Sequence, residues 1–265
     1  MASALEQALA FQRDLAKRCS TKCERFEYGE FLVNEKLPRV EHMNVAYLDP
    51  TTVDLHAPKR MQLAYEIANA ATNTAKELGL PHVQLTVEDD GLGAILQAGF
   101  SGIGWATKRV AVMAPGDAVT LDAATSEARQ LTEGEFAQTR MRFLRDERRE
   151  DEDVLHDLLA SDAIVAANVE TEYYGRLVDD TVASCCELYA QDGVVQLENL
   201  FTVADFQRRS YAREVLAKAY ERALELDGAL IFFVVEASNE QARPLYTKSG
   251  FADVGFMHEF GCKLR

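Results

Sequence analysis

The run Phe206-Gln207-Arg208-Arg209-Ser210-Tyr211-Ala212 has the residue types of a loop that binds a diphosphate. It lies between a strand-like segment, Val194 to Val203, and a segment with helical spacing. A turn that opens a helix directs unpaired backbone N–H groups and the positive end of the helix dipole at an anion. Small side chains at Ser210 and Ala212 let the anion approach, and Arg213 adds to the charge of the two arginines in the run. Arginines that open a helix are also common on solvated surfaces, so the neighbouring elements decide between the two interpretations.

The segments after this run alternate between helix and buried strand. Arg213 to Leu226 carries an apolar stripe at helical spacing, and Leu230 to Val235 is a continuous apolar run, typical of a strand buried on both faces. Asn239 then precedes a short helix through Leu245-Tyr246, and Ser249-Gly250-Phe251 forms a turn. The predicted order is therefore strand, anion-binding turn, helix, buried strand and short helix.

Four motifs follow one another in this half of the chain: Leu197-Glu198-Asn199-Leu200-Phe201-Thr202, Gln207-x-x-Ser210-x-Ala212, Asn239, and Leu245-Tyr246-x-x-Ser249-Gly250-Phe251. In type, order and spacing they resemble the GNAT superfamily of acyl-CoA-dependent N-acetyltransferases. The signature of that family is Gln/Arg-x-x-Gly-x-Gly/Ala, and this chain has Ser210 where glycine is usual. A side chain restricts φ at that position. The resemblance implies an α/β (α+β) fold with a mixed, mostly antiparallel central sheet flanked by helices.

The resemblance also implies acetyl-CoA as the co-substrate. Its pantetheine arm is expected to pair like an extra strand with the backbone before the turn, and its diphosphate to lie on the turn. A splay between that strand and the next would leave backbone N–H groups free to polarise the thioester carbonyl. Asn239 also suits the N-cap of the short helix. The residues expected to bind the cofactor are Leu200, Phe201, Thr202, Val203, Gln207, Arg208, Arg209, Ser210, Tyr211, Ala212, Arg213 and Asn239.

Acyl transfer to an amine needs a neutral amine, a polarised carbonyl and a proton for the leaving thiolate. Tyr246 matches the family tyrosine that lies near the cofactor sulfur and acts as general acid, and a core tyrosine is the alternative. Glu198 is the candidate base, because partial burial would raise its pKa toward working pH; Glu187 and bound waters are the alternatives. Cys185 and Cys186 lie on an earlier strand than a nucleophile would occupy, so the resemblance implies direct transfer in a ternary complex.

The first half of the chain repeats the order of the second half. The repeated elements are a strand, a helix, a second strand and a Gly-Phe pair: Asn44 to Leu48, Met61 to Leu78, Val83 to Val87 and Gly99-Phe100. Arg109 to Met113 is expected to close the first sheet, and Phe256 to Leu264 the second. We therefore predict two tandem GNAT-like folds, residues 1–115 and residues 116–265.

The two halves differ in their chemistry. The segment His56-Ala57-Pro58-Lys59-Arg60-Met61 stands where the second half has the arginine-rich turn, and its proline removes one N–H donor. The tyrosine position falls on Ile95, or on Leu96 in a shifted register, and neither residue can give up a proton. The N-terminal domain is therefore interpreted as a degenerate scaffold, and the C-terminal domain as the acetyltransferase.

Composition excludes several classes of protein. A net charge of −15 over 265 residues leaves no extended basic surface for nucleic acid. The sequence has no apolar run of about eighteen residues, and Met1 to Ala16 has the pattern of an amphipathic helix instead of a signal peptide, which predicts a cytoplasmic protein without membrane contact. Five cysteines and five histidines lack metal-ligand spacing, so no metal is expected.

The expected acceptor is a small-molecule or peptide amine, and the expected assembly is a monomer or a homodimer. The alternative to an enzyme is a non-catalytic module that binds acyl-CoA for regulation or sensing, which the serine at position 210 permits.

Overall fold

The computed structural model describes residues 2–53, 60–147, 151–226 and 229–264. The chain divides into two compact units. We call residues 12–112, 236–238 and 255–265 the N-terminal unit, and residues 1–11, 113–235 and 239–254 the C-terminal unit. Each unit has a mixed, mostly antiparallel sheet with helices packed against it.

Within the described residues, the α-helices are α1 (Ala4–Cys19), α2 (Arg60–Glu77), α3 (Asp90–Gly102), α4 (Glu133–Glu147), α5 (Glu152–Ala166), α6 (Tyr211–Glu225) and α7 (Arg243–Lys248). The strands are β1 (Lys22–Phe26), β2 (Gly29–Val33), β3 (Asn44–Leu48), β4 (His82–Val87), β5 (Ala106–Pro115), β6 (Arg129–Leu131), β7 (Glu170–Val178), β8 (Thr181–Gln191), β9 (Val194–Thr202), β10 (Leu230–Glu236) and β11 (Phe251–Lys263). No helix in this part of the chain is long and apolar enough to cross a membrane.

The N-terminal unit has the strand order β1-β2-β3-β4-β11-β5. The first three strands are antiparallel neighbours, β3 and β4 are parallel, and β11 is antiparallel to β4. Side chains from α2, α3 and the sheet form one core, in which Ile67, Leu85, Leu96 and Phe260 are fully buried. Burial of these apolar side chains holds the helices against the sheet.

The final strand of the chain belongs to the N-terminal sheet. His258 pairs with Val87 and Lys263 with His82, in an antiparallel ladder with β4. The expectation that Phe256 to Leu264 closes the second sheet is therefore wrong. The alternation of apolar and polar residues along a strand specifies which face is buried, but it does not specify which strand lies beside it.

The Gly-Phe pair of the first half also differs from its prediction. Gly99 and Phe100 lie inside α3, and the left-handed turn after this helix is made by Gly104, with φ 83°, directly before Trp105. Gly250 has a similar φ of 93° before β11. Aligned on these two turns, the counterpart of the family tyrosine is Phe100, not Ile95 or Leu96.

The C-terminal unit has the strand order β10-β9-β8-β7-β6. β9 and β10 are parallel, and the other neighbours are antiparallel. α6 packs against β7, β8 and β9. Phe136 of α4 packs with Tyr173, Cys185 and Phe201 of the sheet. This packing fixes the end of β9 and the start of α6, the two elements that flank the predicted anion-binding turn.

Candidate active site

The turn between β9 and α6 is built to leave backbone donors unpaired. A 3₁₀ turn, Ala204–Phe206, follows β9, and α6 begins at Tyr211. The N–H groups of Arg213 and Glu214 donate to the carbonyl of Ser210. The N–H groups of residues 208 to 212 have no hydrogen-bond partner among the residues that the structure describes. Unpaired donors at the start of a helix are able to bind an anion.

Ser210 adopts the backbone conformation that favours glycine. Its φ is 66°, and that of Arg208 is 64°, both in the left-handed region. A non-glycine residue pays about 1 to 2 kcal/mol to enter this region. The turn is therefore formed with serine in the place of the signature glycine. Gln207 helps to close it, because its Nε2 donates to the carbonyl oxygen of Thr202 at 3.3 Å.

The first turn of α6 is anchored by side chains. Glu214 accepts a hydrogen bond from the Nε of Arg176 on β7 at 2.9 Å, and the Arg176 guanidinium lies over the Tyr211 ring, 5.3 Å from its centroid. Arg213 donates to the carbonyl oxygen of Thr120 at 2.8 Å. These contacts hold the unpaired N–H groups in place before any ligand arrives.

A pocket of about 240 Å³ opens over this turn. It is lined by Thr202, Phe206, the six residues from 208 to 213, Leu245 and Lys248. The side chains of Arg208, Arg209 and Lys248 are exposed. Positive side chains and unpaired N–H groups around one pocket are the arrangement that binds phosphate groups.

β9 and β10 separate along their length. Their parallel pairing covers Val194 to Gln196 on β9 and Leu230 to Phe232 on β10. β9 then continues from Leu197 to Thr202 and β10 from Phe233 to Glu236 without pairing with each other. The gap between them is the splay expected from the resemblance, and it ends at the anion-binding turn.

A bulge shapes β9 at the start of this gap. Glu187 pairs with Glu198 and Cys185 with Phe201, so both Asn199 and Leu200 lie opposite Cys186. Asn199 has a φ of 49°. This bulge is not among the predicted features, although asparagine, which tolerates positive φ, is a signal for it.

Tyr246 lies on α7 and is buried against Phe233, with 3.9 Å between the ring centroids. Its hydroxyl has no hydrogen-bond partner in the described part of the chain. Burial and the negative charge of Glu198 raise the pKa of Tyr246 above its usual range. The phenol therefore stays protonated at neutral pH and keeps a proton to donate.

Glu198 lies at the bulge on β9 and is half-buried. Burial raises the pKa of its carboxyl, while a hydrogen bond from Gln196 Nε2, at 2.6 Å, acts in the opposite direction. Glu187, directly across the ladder, is fully buried, and burial together with the charge of Asp162 raises the pKa of Glu187 to about 8. The structure therefore brings both candidate bases to one place, with Glu198 the more accessible of the two.

Comparison with known proteins identifies the family to which this part of the chain is similar. The family model described as acetyltransferase (GNAT) family matches residues 133–251, which contain β7 to β10, the anion-binding turn and Tyr246. This part of the chain belongs to the GNAT family. No curated protein matches the sequence.

Solved structures extend the likeness to both units. A GCN5-related N-acetyltransferase from Kribbella flavida has a TM-score of 0.63 and 16% identity, covering 98% of this chain and 96% of that one. A tandem GNAT protein from the clavulanic acid biosynthesis pathway has a TM-score of 0.54 and 13% identity, covering 89% and 79%. A conserved protein of unknown function from Staphylococcus epidermidis has a TM-score of 0.66 and 11% identity, covering 93% and 95%. At these identities the likeness concerns the fold, and it confirms two tandem GNAT-like folds.

The other predicted cofactor residues of the GNAT domain lie along β9 and before α7. Phe201 is buried and stacks on Phe143, 4.3 Å between centroids, and Leu200 is half-buried. The N–H of Val203 donates to Ala183, so it is not free for a ligand.

Asn239 caps the turn before α7, but the prediction that it is the N-cap of this helix is wrong, because α7 begins at Arg243 and its N-cap is Ala242. Its Oδ1 accepts from the N–H groups of Gln241 and Ala242, at 3.1 and 2.8 Å, in the turn that leads into α7. Its side-chain amide N–H donors are not used in these bonds.

The cysteines of the GNAT domain are unreactive. Cys185 and Cys186 are buried, and burial raises the pKa of both thiols well above their usual range. A protonated, buried thiol is a poor nucleophile. In the described residues, no cluster of three or more His, Cys, Asp or Glu side chains is able to hold a metal ion.

Proposed function

We propose that this protein is an N-acetyltransferase that moves an acetyl group from acetyl-CoA to a primary amine. The observation that carries the proposal is the separation of β9 from β10, which ends at a turn with five consecutive backbone N–H groups that have no partner among the described residues. The acyltransferase class comes from the family, whereas the acetyl group and the amine acceptor are our inference.

The residues around the pocket fit acetyl-CoA. The unpaired N–H groups of residues 208 to 212 and the arginines at 208 and 209 suit its diphosphate, and Lys248 adds charge at the same pocket. The unpaired edge of β9 from Leu197 to Thr202 suits an extended arm that pairs like a strand. Acetyl-CoA supplies the activated acyl group, and the chain supplies binding, orientation and proton transfer.

We assign the two proton transfers of the reaction to two side chains. Tyr246 keeps its proton at neutral pH, and we assign it the role of general acid toward the departing thiolate. Glu198 has a raised pKa and lies at the bulge, and we assign it the removal of a proton from the acceptor amine, directly or through water. Unpaired N–H groups of β9 polarise the thioester carbonyl.

We infer direct transfer between the two substrates. A ping-pong route needs a nucleophile, and the thiols nearest the bulge, Cys185 and Cys186, are buried and protonated. The acceptor amine therefore attacks the thioester in a ternary complex. We further infer a cytoplasmic enzyme, monomeric or homodimeric, that acts on a small-molecule or peptide amine and not on nucleic acid.

The test is release of free thiol from acetyl-CoA in the presence of a panel of amines: polyamines, aminoglycosides, amino acids and peptides with free N-termini. We expect at least one amine to accelerate thiol release, with the acetylated product visible by mass spectrometry. Tight acetyl-CoA binding without turnover on any amine would favour the alternative, a non-catalytic acyl-CoA sensor. Absence of acetyl-CoA binding would contradict both functions.

A further inference from the structure

Glu187 is a buried acidic side chain that the proposed mechanism does not use. It lies on β8, and its side chain is fully buried. Its Oε2 accepts hydrogen bonds from Asn199 Nδ2 and from the hydroxyl of Tyr189, the latter at 2.9 Å. Its Oε1 has no partner among the described residues. A buried carboxyl group with an unpaired oxygen costs stability, so a local role has to account for it.

The charged and titratable groups around Glu187 come from several elements. Asp162 of α5 and Arg140 of α4 form an ion pair at 3.2 Å, and both act on the Glu187 carboxyl through their charges. Tyr173 of β7 and Glu198 of β9 are its cross-strand neighbours. Burial and the negative charge of Asp162 raise the pKa of Glu187, which favours a protonated, uncharged carboxyl.

The contact with Asn199 connects this buried group to the active site. Asn199 sits in the bulge of β9 with a φ of 49°, three residues beyond Gln196, the last residue of β9 that pairs with β10. A residue in this conformation persists when its surroundings hold it. The Glu187 carboxyl is the side-chain acceptor that holds the Asn199 amide.

We propose that Glu187 is a positioning residue that fixes the Asn199 bulge, and thereby aims the unpaired N–H groups of β9 at the thioester carbonyl. This inference rests on the proposed function. Glu187 acts through Asn199 and not on the substrate, because its side chain is out of reach of solvent. The hydrogen bond from Asn199 Nδ2 requires an acceptor oxygen at position 187 and not a negative charge, so glutamine is able to replace Glu187.

The test compares CoA with acetyl-CoA, which differ only in the acetyl group. Calorimetric titrations give Kd for both ligands with the wild type and with Glu187→Gln, Glu187→Met and Asn199→Gly. In Glu187→Met and Asn199→Gly we expect the affinity for acetyl-CoA relative to CoA to fall by about tenfold, because the carbonyl loses aligned donors. In both variants we expect the affinity for CoA to stay within about twofold of the wild type, because the turn proposed to bind the phosphates is unchanged. We expect Glu187→Gln to keep the wild-type ratio of acetyl-CoA affinity to CoA affinity.

The kinetic readout separates positioning from a loss of folding. With an active amine, Glu187→Met is expected to lower kcat by about tenfold or more, while the KM for acetyl-CoA changes little. Asn199→Gly keeps the backbone conformation without the side-chain anchor, so it carries the test if Glu187→Met does not fold.

Two results would overturn the inference while the proposed function stands: unchanged ligand ratios in Glu187→Met and Asn199→Gly, or a loss in Glu187→Gln as large as in Glu187→Met. Unchanged ratios would show that the hydrogen bond between Glu187 and Asn199 does not position the N–H groups of β9. A loss in Glu187→Gln would show that the effect depends on the negative charge of Glu187. A wild type that binds neither CoA nor acetyl-CoA would overturn the proposed function itself, and the inference with it.

Discussion

In the C-terminal unit, the pairing of β9 with β10 ends at Gln196 and Phe232, and both strands then continue apart. In the N-terminal unit, the pairing of β3 with β4 extends to Tyr47 and Thr86, one residue before each strand ends. The topology of the two strand pairs is the same. Of these two pairs, only β9 and β10 leave part of a strand edge without its neighbour. The backbone groups of such an edge can form hydrogen bonds with an extended ligand.

Side chains reinforce the difference between the units. At the end of β4, Glu88 Oε2 forms an ion pair with Arg13 Nη1 at 3.2 Å. The Arg13 guanidinium also lies over the Tyr47 ring, 5.0 Å from its centroid. The corresponding end of the C-terminal pair has the bulge, with Glu198 and Tyr246 nearby. Paired side chains thus occupy the N-terminal unit at the place where the C-terminal unit has the side chains that we propose as acid and base.

The largest expected effect concerns the tyrosine of the C-terminal unit. Tyr246→Phe removes the proposed proton donor, and we expect kcat to fall by about 100-fold, with the KM for acetyl-CoA unchanged. Phenylalanine fills the same space beside Phe233, so the fold should persist. The matched control is Tyr65→Phe, at an exposed position of the N-terminal unit, which should leave kcat at the wild-type value. Equal kcat in Tyr246→Phe and the wild type would remove Tyr246 from the chemistry.

The next effect concerns the charge at the anion-binding turn. Arg209→Ala should raise the Kd for CoA by about tenfold, through loss of a charge-assisted contact with phosphate. Arg25→Ala is the control, because Arg25 is also an exposed arginine and lies in the N-terminal unit. Titration calorimetry measures both. A Kd that moves as little in Arg209→Ala as in Arg25→Ala would contradict the assignment of the turn.

The pH dependence of the reaction tests Glu198. Its pKa is raised by burial, and the base must be ionised to accept a proton, so kcat/KM should fall as the pH drops through a value above the usual range of a glutamate. Glu198→Gln should lower kcat/KM and abolish this acid limb. Glu88→Gln is the matched control, because the pKa of Glu88 is also raised by burial. An acid limb that persists in Glu198→Gln would assign it to another group.

The smallest expected effect is on stability. Ser210→Gly should raise the free energy of unfolding by about 0.5 kcal/mol, because relief of the left-handed strain is partly offset by a more flexible unfolded chain. The reverse change, Gly79→Ser, places serine at a φ of 71° with open space around its Cβ, and should lower stability by a similar amount. Urea unfolding measures both changes. Looser CoA binding by Ser210→Gly would show instead that the serine hydroxyl contacts phosphate.

Part of this architecture can be predicted from the residues alone. The strand, turn and helix around Gln207 to Ala212 follow from local signals: an apolar strand, small residues in the turn and a periodic helix. The turn after α7 could be predicted because a glycine, Gly250, occupies its positive-φ position, and the spacing from that glycine places Tyr246 on the helix.

Other features depend on interactions that no local pattern encodes. The sequence repeat aligns Gly99-Phe100 with Gly250-Phe251, but α3 continues to Gly102 because its apolar face continues into the core. The pairing of β11 with β4 is a choice between strands distant in sequence. The bond between Asn199 and Glu187 likewise depends on the register of two strands. The candidate turn of the first half, His56 to Lys59, lies outside the described residues.

Titration of the protein with acetyl-CoA tests the central claim most directly, because that claim assigns a single binding site to the C-terminal unit. The account predicts saturable binding with a stoichiometry of one acetyl-CoA per chain, weakened by Arg209→Ala. A stoichiometry of two would show that the N-terminal unit binds the ligand as well, and the absence of saturable binding would contradict the assignment of the site.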